Sequence, residues 1–366
     1  MNGTDLTPDI PGNLTDEDES WIKNSLSLCL EGVLLPILAL FGIVGNILCL
    51  FVFNQKKVEL KPSFSNILKC LSVFDILFLV GMVLLYTVPR ASSTYRTNIE
   101  PVILPVLLPL TQVTLTGSVY SVVAVAVERY YTICRPFKYN MMGECKGLPY
   151  IMIIIIFSFV YNINKFFELT TISKLVETEA GNHSVYVNEM TPLRKNATYT
   201  TVYILYNTCG MGILPIFLLT FLNNRIVRDM KQATRIHNNI SKSQRRDGAM
   251  SALLTGIVVV LVICHSPKTI INMLESYQTL VYGDFQSPPG WGNLVIKVSH
   301  LLLTFSSAAN ILIYSYKDFR FRTILASFCS FSHPHSDVSS RGEGSIGDHV
   351  IRTNTNNIHR TKETIL

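Results

Sequence analysis

A bundle of seven membrane-spanning α-helices, an all-α membrane protein, is the fold this sequence predicts, and three observations predict it. First, 366 residues with 48% hydrophobic and only 15% charged side chains, at a mean hydropathy of +0.33, are too apolar for a water-soluble domain. Second, seven runs carry little or no charge and are each long enough to cross hydrocarbon. Third, basic residues and glycosylation sequons segregate into alternate connections between those runs.

Residues 1–27 form a polar N-tail with the acidic run Asp16-Glu17-Asp18-Glu19 and sequons at Asn2 and Asn13. No charged segment followed by a short apolar run occurs there, so a cleaved leader is not expected and the first span is read as the insertion signal. The runs fall at about 28–54, 64–89 (broken by Asp75), 101–127, 147–164, 196–224, 248–274 (broken by Lys268) and 291–316 (with Lys297 and His300). At about 1.5 Å per residue each reaches across roughly 30 Å of hydrocarbon, with 147–164 the most marginal. They are continuous rather than alternating, which indicates helices and not a barrel.

The third run is the axis. Glu100 and Glu128 are separated by 27 uncharged residues, and Glu128-Arg129-Tyr130 then arrives at once. Thr111, Gln112, Thr114, Thr116, Ser118 and Ser121 scatter polar groups through it. Hydrocarbon tolerates such groups when they face other helices or a wet cavity, so this helix belongs inside a bundle.

Orientation is read twice. Lys56, Lys57 and Lys61 follow run one, Arg135, Lys138 and Lys146 follow run three, and Arg225, Arg228, Lys231, Arg235, Lys242, Arg245 and Arg246 follow run five. The positive-inside rule puts these loops in the cytoplasm and the N-terminus outside. Four of the five sequons, at Asn2, Asn13, Asn182 and Asn196, then fall outside, as glycosylation requires, and only Asn239-Ile240-Ser241 falls inside, where it would be unused. The chain is expected at the plasma membrane. Residues 317–329 have the pattern of a short amphipathic eighth helix in the inner interface, with Cys329 a candidate palmitoylation site. Residues 330–366 have the composition of a disordered tail.

Basic residues in short connections, rather than on one soluble face, argue against nucleic acid. Eight cysteines show no CxxC spacing, which speaks against zinc or redox chemistry. No nucleophile–base set or metal cluster points to an enzyme. A transporter or pump of seven spans would need a chain of intramembrane charges, where the sequence offers mainly Asp75, Lys268 and His300.

Gly45-Asn46, Leu71 with Asp75, Glu128-Arg129-Tyr130 with Pro136, Pro215, Cys264-His265-Ser266-Pro267 and Asn310-Ile311-Leu312-Ile313-Tyr314 stand in order over about residues 30–329. In that order the set resembles the rhodopsin-like G-protein-coupled receptors. Within them the chain is most similar to invertebrate FMRFamide-type neuropeptide receptors, on the proline-free Asn310-to-Tyr314 motif and the Tyr161-to-Glu168 exit from span four.

The resemblance implies roles residue by residue. Glu128, Arg129, Tyr130, Asp247, His265, Pro267, Asn310 and Tyr314 would form the activation switch, with Glu128 and Asp247 as partners of Arg129; a surface arginine reaching the lipid interface is the plainer reading. Asp75, with Asn46, Ser118, Ser306, Ser307 and Asn310, would hold a sodium ion, the one cofactor expected; a protonated, hydrogen-bonded acid is the alternative. Tyr86, Thr111, Gln112, Leu115, Asn207, Lys268, Asn272, Glu275, Ile296 and His300 would line the ligand pocket. Glu100, Glu168, Glu275 and Asp284 would offer carboxylates at its mouth to a cationic amidated peptide. A non-peptide ligand, or constitutive activity without one, is the alternative function. The expected partners are the peptide, a heterotrimeric G protein, receptor kinases and arrestin on tail serines such as Ser336 and Ser339, and a PDZ protein at Thr364-Ile365-Leu366.

Several positions depart from the family. His265 replaces a tryptophan, Ile311 a proline and Asn223 a tyrosine. Leu104 stands where a cysteine is usual and residues 165–200 contain none, so the usual disulfide to the second outer loop is missing.

Overall fold

The computed structural model describes residues 24–55, 61–141, 147–178, 181–236, 242–282, 290–317, 322–323 and 326. Asn2, Asn13, Cys329 and the tail lie outside them, as does nearly all of the expected eighth helix. The chain divides into Met1–Phe328 and Cys329–Leu366, and the fold is that of the first unit.

Six helices are long and apolar enough to cross a membrane, and a bent pair makes a seventh. The spans are Asn24–Phe53, Pro62–Ala91, Tyr95–Cys134, Gly147–Phe167, Ala197–Gln232, the helix Lys242–Tyr282, and Gly290–Ala308 continued by Asn310–Lys317. The chain is a multi-pass membrane protein. Its large apolar side chains also point outward, with Leu40 65% and Ile153 64% exposed; such a surface suits lipid and not water.

Pro62 opens span two just after an extended Lys61, where its missing N–H costs nothing. Span three runs on through Pro105 and Pro109 to Cys134 and lies against spans two, four and five. One apolar core joins its inner half, through Val119, Val122, Val123 and Ala126, to Phe64, Leu71, Leu219, Leu261, Ile311 and Tyr314. A second, around Leu35, Phe78, Leu79, Leu115 and Leu303, lies toward the other end.

Span seven bends by 41° between Ala308 and Asn310 without any proline. Ile311, in place of that proline, sits against Gly45, where an added Cβ would lie 2.7 Å from its Cγ2. The glycine therefore lets spans one and seven close on each other at the bend.

The connection between spans four and five is a two-stranded hairpin, β1 (Leu169–Thr178) and β2 (Gly181–Met190), in register from Leu169↔Met190 to Thr178↔Gly181. It is the one addition to an otherwise helical architecture among the described residues. Without the disulfide, hydrogen bonds and charge hold it. Thr171 Oγ1 donates to the Pro101 carbonyl of span three at 2.6 Å. At its base Glu168, 5% exposed, accepts from Lys165 Nζ at 2.8 Å and Tyr199 OH at 3.0 Å, with Arg194 Nε at 3.8 Å. The backbone N–H of Thr191 closes the base by donating to the Glu168 carbonyl.

Candidate functional site

Two cavities are stacked along span three. The outer one is lined by Gln112, Leu115, Asn207, Met211, Gly212, His265, Lys268, Thr269 and Asn272. The inner one is lined by Ser118, Val122, Ile257, Leu261, Ser306, Ser307 and Asn310 among others. Leu115 and His265 belong to both, so these two side chains are the floor of one and the roof of the other.

The outer cavity brings together Gln112, Leu115, Asn207, Lys268 and Asn272 from three spans. Span five contributes through the π-helical turn Thr208–Ile213, whose Gly210 carbonyl accepts from Tyr120 OH at 2.7 Å. Lys268 lies within Coulombic reach of His265 and His300. Other expected lining residues lie elsewhere. Thr111 is buried, packs on Gly81 of span two and donates to the Leu107 carbonyl. Ile296 is half-buried on span seven, and the Glu275 side chain lies outside the described residues. Glu168 is not an open carboxylate at the mouth, because Lys165, Arg194 and Tyr199 already enclose it; Asp284 is not among the described residues.

At the inner cavity Asp75, fully buried, accepts from Ser118 Oγ and from Asn310 Nδ2, each at 2.6 Å, with Ser307 as a further hydroxyl partner. Asn46 Nδ2 donates to the Ser307 carbonyl at 3.0 Å, while its Oδ1 has no hydrogen-bond partner among the described residues. The donor set is carboxylate, hydroxyl and amide oxygen with an acceptor to spare. Those are hard ligands, and they fit a small hard cation.

At the inner end Glu128 is anchored by Ser63 Oγ at 2.9 Å and Tyr139 OH at 3.1 Å. Burial, with Glu128 beside it, holds the Tyr139 phenol above its ordinary value, which keeps it a donor. Arg129 is buried, its Nε 3.7 Å from Glu128 Oε2 and its guanidinium stacked 3.5 Å over the Phe64 ring. It therefore does not snorkel to the lipid interface. Tyr130 packs edge-on against Tyr131. Asp247 lies on the span-six helix, but its side chain is outside the described residues. Asn223 Oδ1 accepts from Thr255 Oγ1 at 3.2 Å, joining spans five and six. Tyr314 is buried edge-on to Phe53. Pro267 lies within a continuous helix.

One functional group is nearly silent in the sequence. Glu31, buried in the π-helical turn Leu28–Leu34 of span one, pairs with Arg90 of span two and faces Lys297 and His300 of span seven. Tyr86 stacks on His300 at 4.3 Å, so these two expected pocket residues belong to this cluster rather than to the outer cavity lining. A lone acid near the end of an apolar run is its only signal.

Seven apolar helices enclosing stacked cavities and a buried carboxylate define an integral membrane protein of the seven-span class. The family described as "7 transmembrane receptor (rhodopsin family)" matches residues 45–314, and the chain belongs to it: a class A G-protein-coupled receptor, from a receptor family rather than an enzymatic one. It is similar to the "FMRFamide receptor" of Drosophila melanogaster, at 25% identity over 90% of this chain and 63% of that protein. It is also similar to the "FMRFamide peptide receptor frpr-18" of Caenorhabditis elegans, at 26% identity over 76% and 64%. The "Adenosine receptor A2b" of Gallus gallus is 24% identical over 79% and 85%. The chain thus spans under two thirds of the length of the two FMRFamide receptors.

Proposed function

We propose that this chain is a plasma-membrane receptor for a short extracellular peptide of the amidated, RFamide type, signalling through heterotrimeric G proteins. The observation that carries the reading is the stacking of the cavities through Leu115 and His265. A ligand in the outer cavity presses on the same two side chains that roof the Asp75 site, so occupancy above can bias packing below. Gln112, Asn207 and Asn272 are amides suited to a terminal carboxamide, and Lys268 supplies a donor for its carbonyl oxygen. The FMRFamide receptors among the relatives support the ligand class.

Asp75, Ser118, Ser306, Ser307 and Asn310, with Asn46 beside them, would hold a sodium ion that favours the resting packing. Arg129 with Glu128 and Asp247, together with Tyr130, His265, Pro267, Asn310 and Tyr314, would carry the change to a G protein. The N-terminus would be outside, with glycans on Asn2, Asn13, Asn182 and Asn196. Cys329 would be palmitoylated, and the tail would meet kinases, arrestin and, at Thr364-Ile365-Leu366, a PDZ protein.

A calcium and cAMP reporter assay with a panel of amidated peptides tests the reading. The expected result is a response to RFamide-type members that disappears when the amide becomes an acid, and Arg129→Ala should abolish signalling while binding survives. Silence across the panel at normal surface expression would overturn it. The same lining, apolar at Leu115 and Met211 and polar at Gln112, Asn207 and Asn272, is also the kind that takes a non-peptide ligand; activation by a small molecule that no peptide displaces would favour that reading.

A further inference from the structure

The Glu31 cluster has more positive than negative charge. Around its carboxylate stand Arg90, Lys297 Nζ at 3.9 Å from Oε2, and His300 Nδ1 at 3.9 Å from Oε1. Lys297 also donates to the Ser27 hydroxyl, a neutral partner that adds no negative charge to the cluster. Among the described residues no second acid joins them, so one anion faces two permanent cations and an imidazole. The acid is innermost: its side chain is 6% exposed, against 34% for Arg90 and 26% for Lys297. The cations therefore form a rim over an acidic base, and a partly desolvated charge surplus draws a counter-ion.

Two further observations point to a ligand. His300 Nδ1 is buried with no hydrogen-bond partner among the described residues, its distance to Glu31 being too long for one. The walls on spans one and two, Leu28–Leu34 and Val83–Thr87, are both π-helical turns, a rare geometry that recurs at functional sites. Thr87 Oγ1 bridges the two walls by donating to the Glu31 carbonyl at 2.9 Å.

We propose that Arg90, Lys297 and His300 form a carboxylate-binding subsite, with Glu31 as the fixed base that orients the two cations. An incoming carboxylate would take the planar guanidinium of Arg90 side-on and the ammonium of Lys297 end-on. A guanidinium would be repelled, so an arginine in the ligand is directed away from this corner. The carboxylate has two available sources: an acidic residue of the ligand, or Asp16-Glu17-Asp18-Glu19 of this chain, which precedes span one. The first source rests on the peptide-receptor reading; the second does not.

Thermal unfolding of the full-length, detergent-solubilised receptor separates the sources. Asp16→Asn, Glu17→Gln, Asp18→Asn and Glu19→Gln are made together, in the native background and beside Lys297→Gln. If the tail fills the subsite, neutralising it lowers the melting temperature by about 2–4 °C in the native background and leaves Lys297→Gln unmoved. If the ligand fills it, tail neutralisation has no effect, and a soluble tetraglutamate peptide raises the melting temperature of the native chain but not of Lys297→Gln. In the reporter assay, Phe-Met-Arg-Phe-amide extended by Asp should then act at about tenfold lower concentration than its Asn analogue. Lys297→Gln should erase that preference and Lys297→Arg keep it. The proposal is overturned if neither the tail nor tetraglutamate shifts the melting temperature in a Lys297-dependent way. Silence of the peptides alone would sink the peptide reading and leave the thermal result to decide the subsite.

Discussion

Asp75 and Glu31 are both carboxylates inside the bundle, and their surroundings are opposite. Asp75 is held by Ser118, Ser307 and Asn310, neutral groups only, and is fully buried. Glu31, on a π-helical turn near the start of span one, is ringed by Arg90, Lys297 and His300. One site has no positive charge beside its acid, and the other has more positive charge than its single acid balances. An intramembrane acid is thus not a single kind of signal; the partners decide whether it collects cations or arranges them.

The largest test of that contrast is the same change made at both acids. Glu31→Gln leaves Arg90 and Lys297 without their carboxylate and should destabilise the receptor by about 2–3 kcal/mol, below the figure for a fully buried pair because both cations are partly exposed. Asp75→Asn leaves Ser118 and Asn310 with an amide partner and should change stability by less than about 1 kcal/mol, while removing any sodium dependence of agonist affinity. Equal melting temperatures for the two variants would erase the distinction.

A packing change sharpens the Asp75 side. Gly117, beside Ser118, faces the Phe74 ring so closely that an added Cβ would overlap it. Gly117→Ala should cost about 1–3 kcal/mol and loosen the Ser118–Asp75 contact; an unchanged melting temperature together with unchanged sodium response would contradict this.

Smaller effects are expected at the β1–β2 hairpin, which hydrogen bonds hold in place of a disulfide. Thr171→Val deletes its bond to the Pro101 carbonyl and should cost about 1 kcal/mol, read as faster amide exchange in β1 and β2 with the helices unaffected. Reductant should leave agonist response intact. The smallest effect is at Lys174–Glu189, an exposed pair 2.7 Å apart across the strands. The hydrogen bond from Lys174 holds the Glu189 carboxyl below its ordinary value. Its contribution is therefore present above the usual carboxylate range and is lost as pH falls through the depressed value. Lys174→Ala should remove a slight acid-side increase in hairpin exchange, and little else.

The candidate site residues were named in the sequence through the family resemblance, which itself rests on motifs that mark the spans. Gln112 and Leu115 lie on a helix marked by its uncharged length and the Glu128-Arg129 stop, and Asp75 is the one acid in its apolar run. Thr111 illustrates the limit. It lies one residue from Gln112, yet about 100° of helical turn sends it into Gly81 and away from the cavity. Glu168 is similar: as a letter it is a mouth carboxylate, and in the fold it is consumed by Lys165, Arg194 and Tyr199.

By itself the sequence determined the number of spans, their helical nature and the axial place of the third, because burying uncharged backbone in hydrocarbon leaves few alternatives. The tertiary structure decided which charges meet. Glu31, Arg90 and Lys297 are remote in the chain and individually inconspicuous, and only the packing of spans one, two and seven makes them a cluster. Hydropathy is a property of a segment and can be read locally. Charge balance belongs to a volume, and that volume exists only after the helices have assembled.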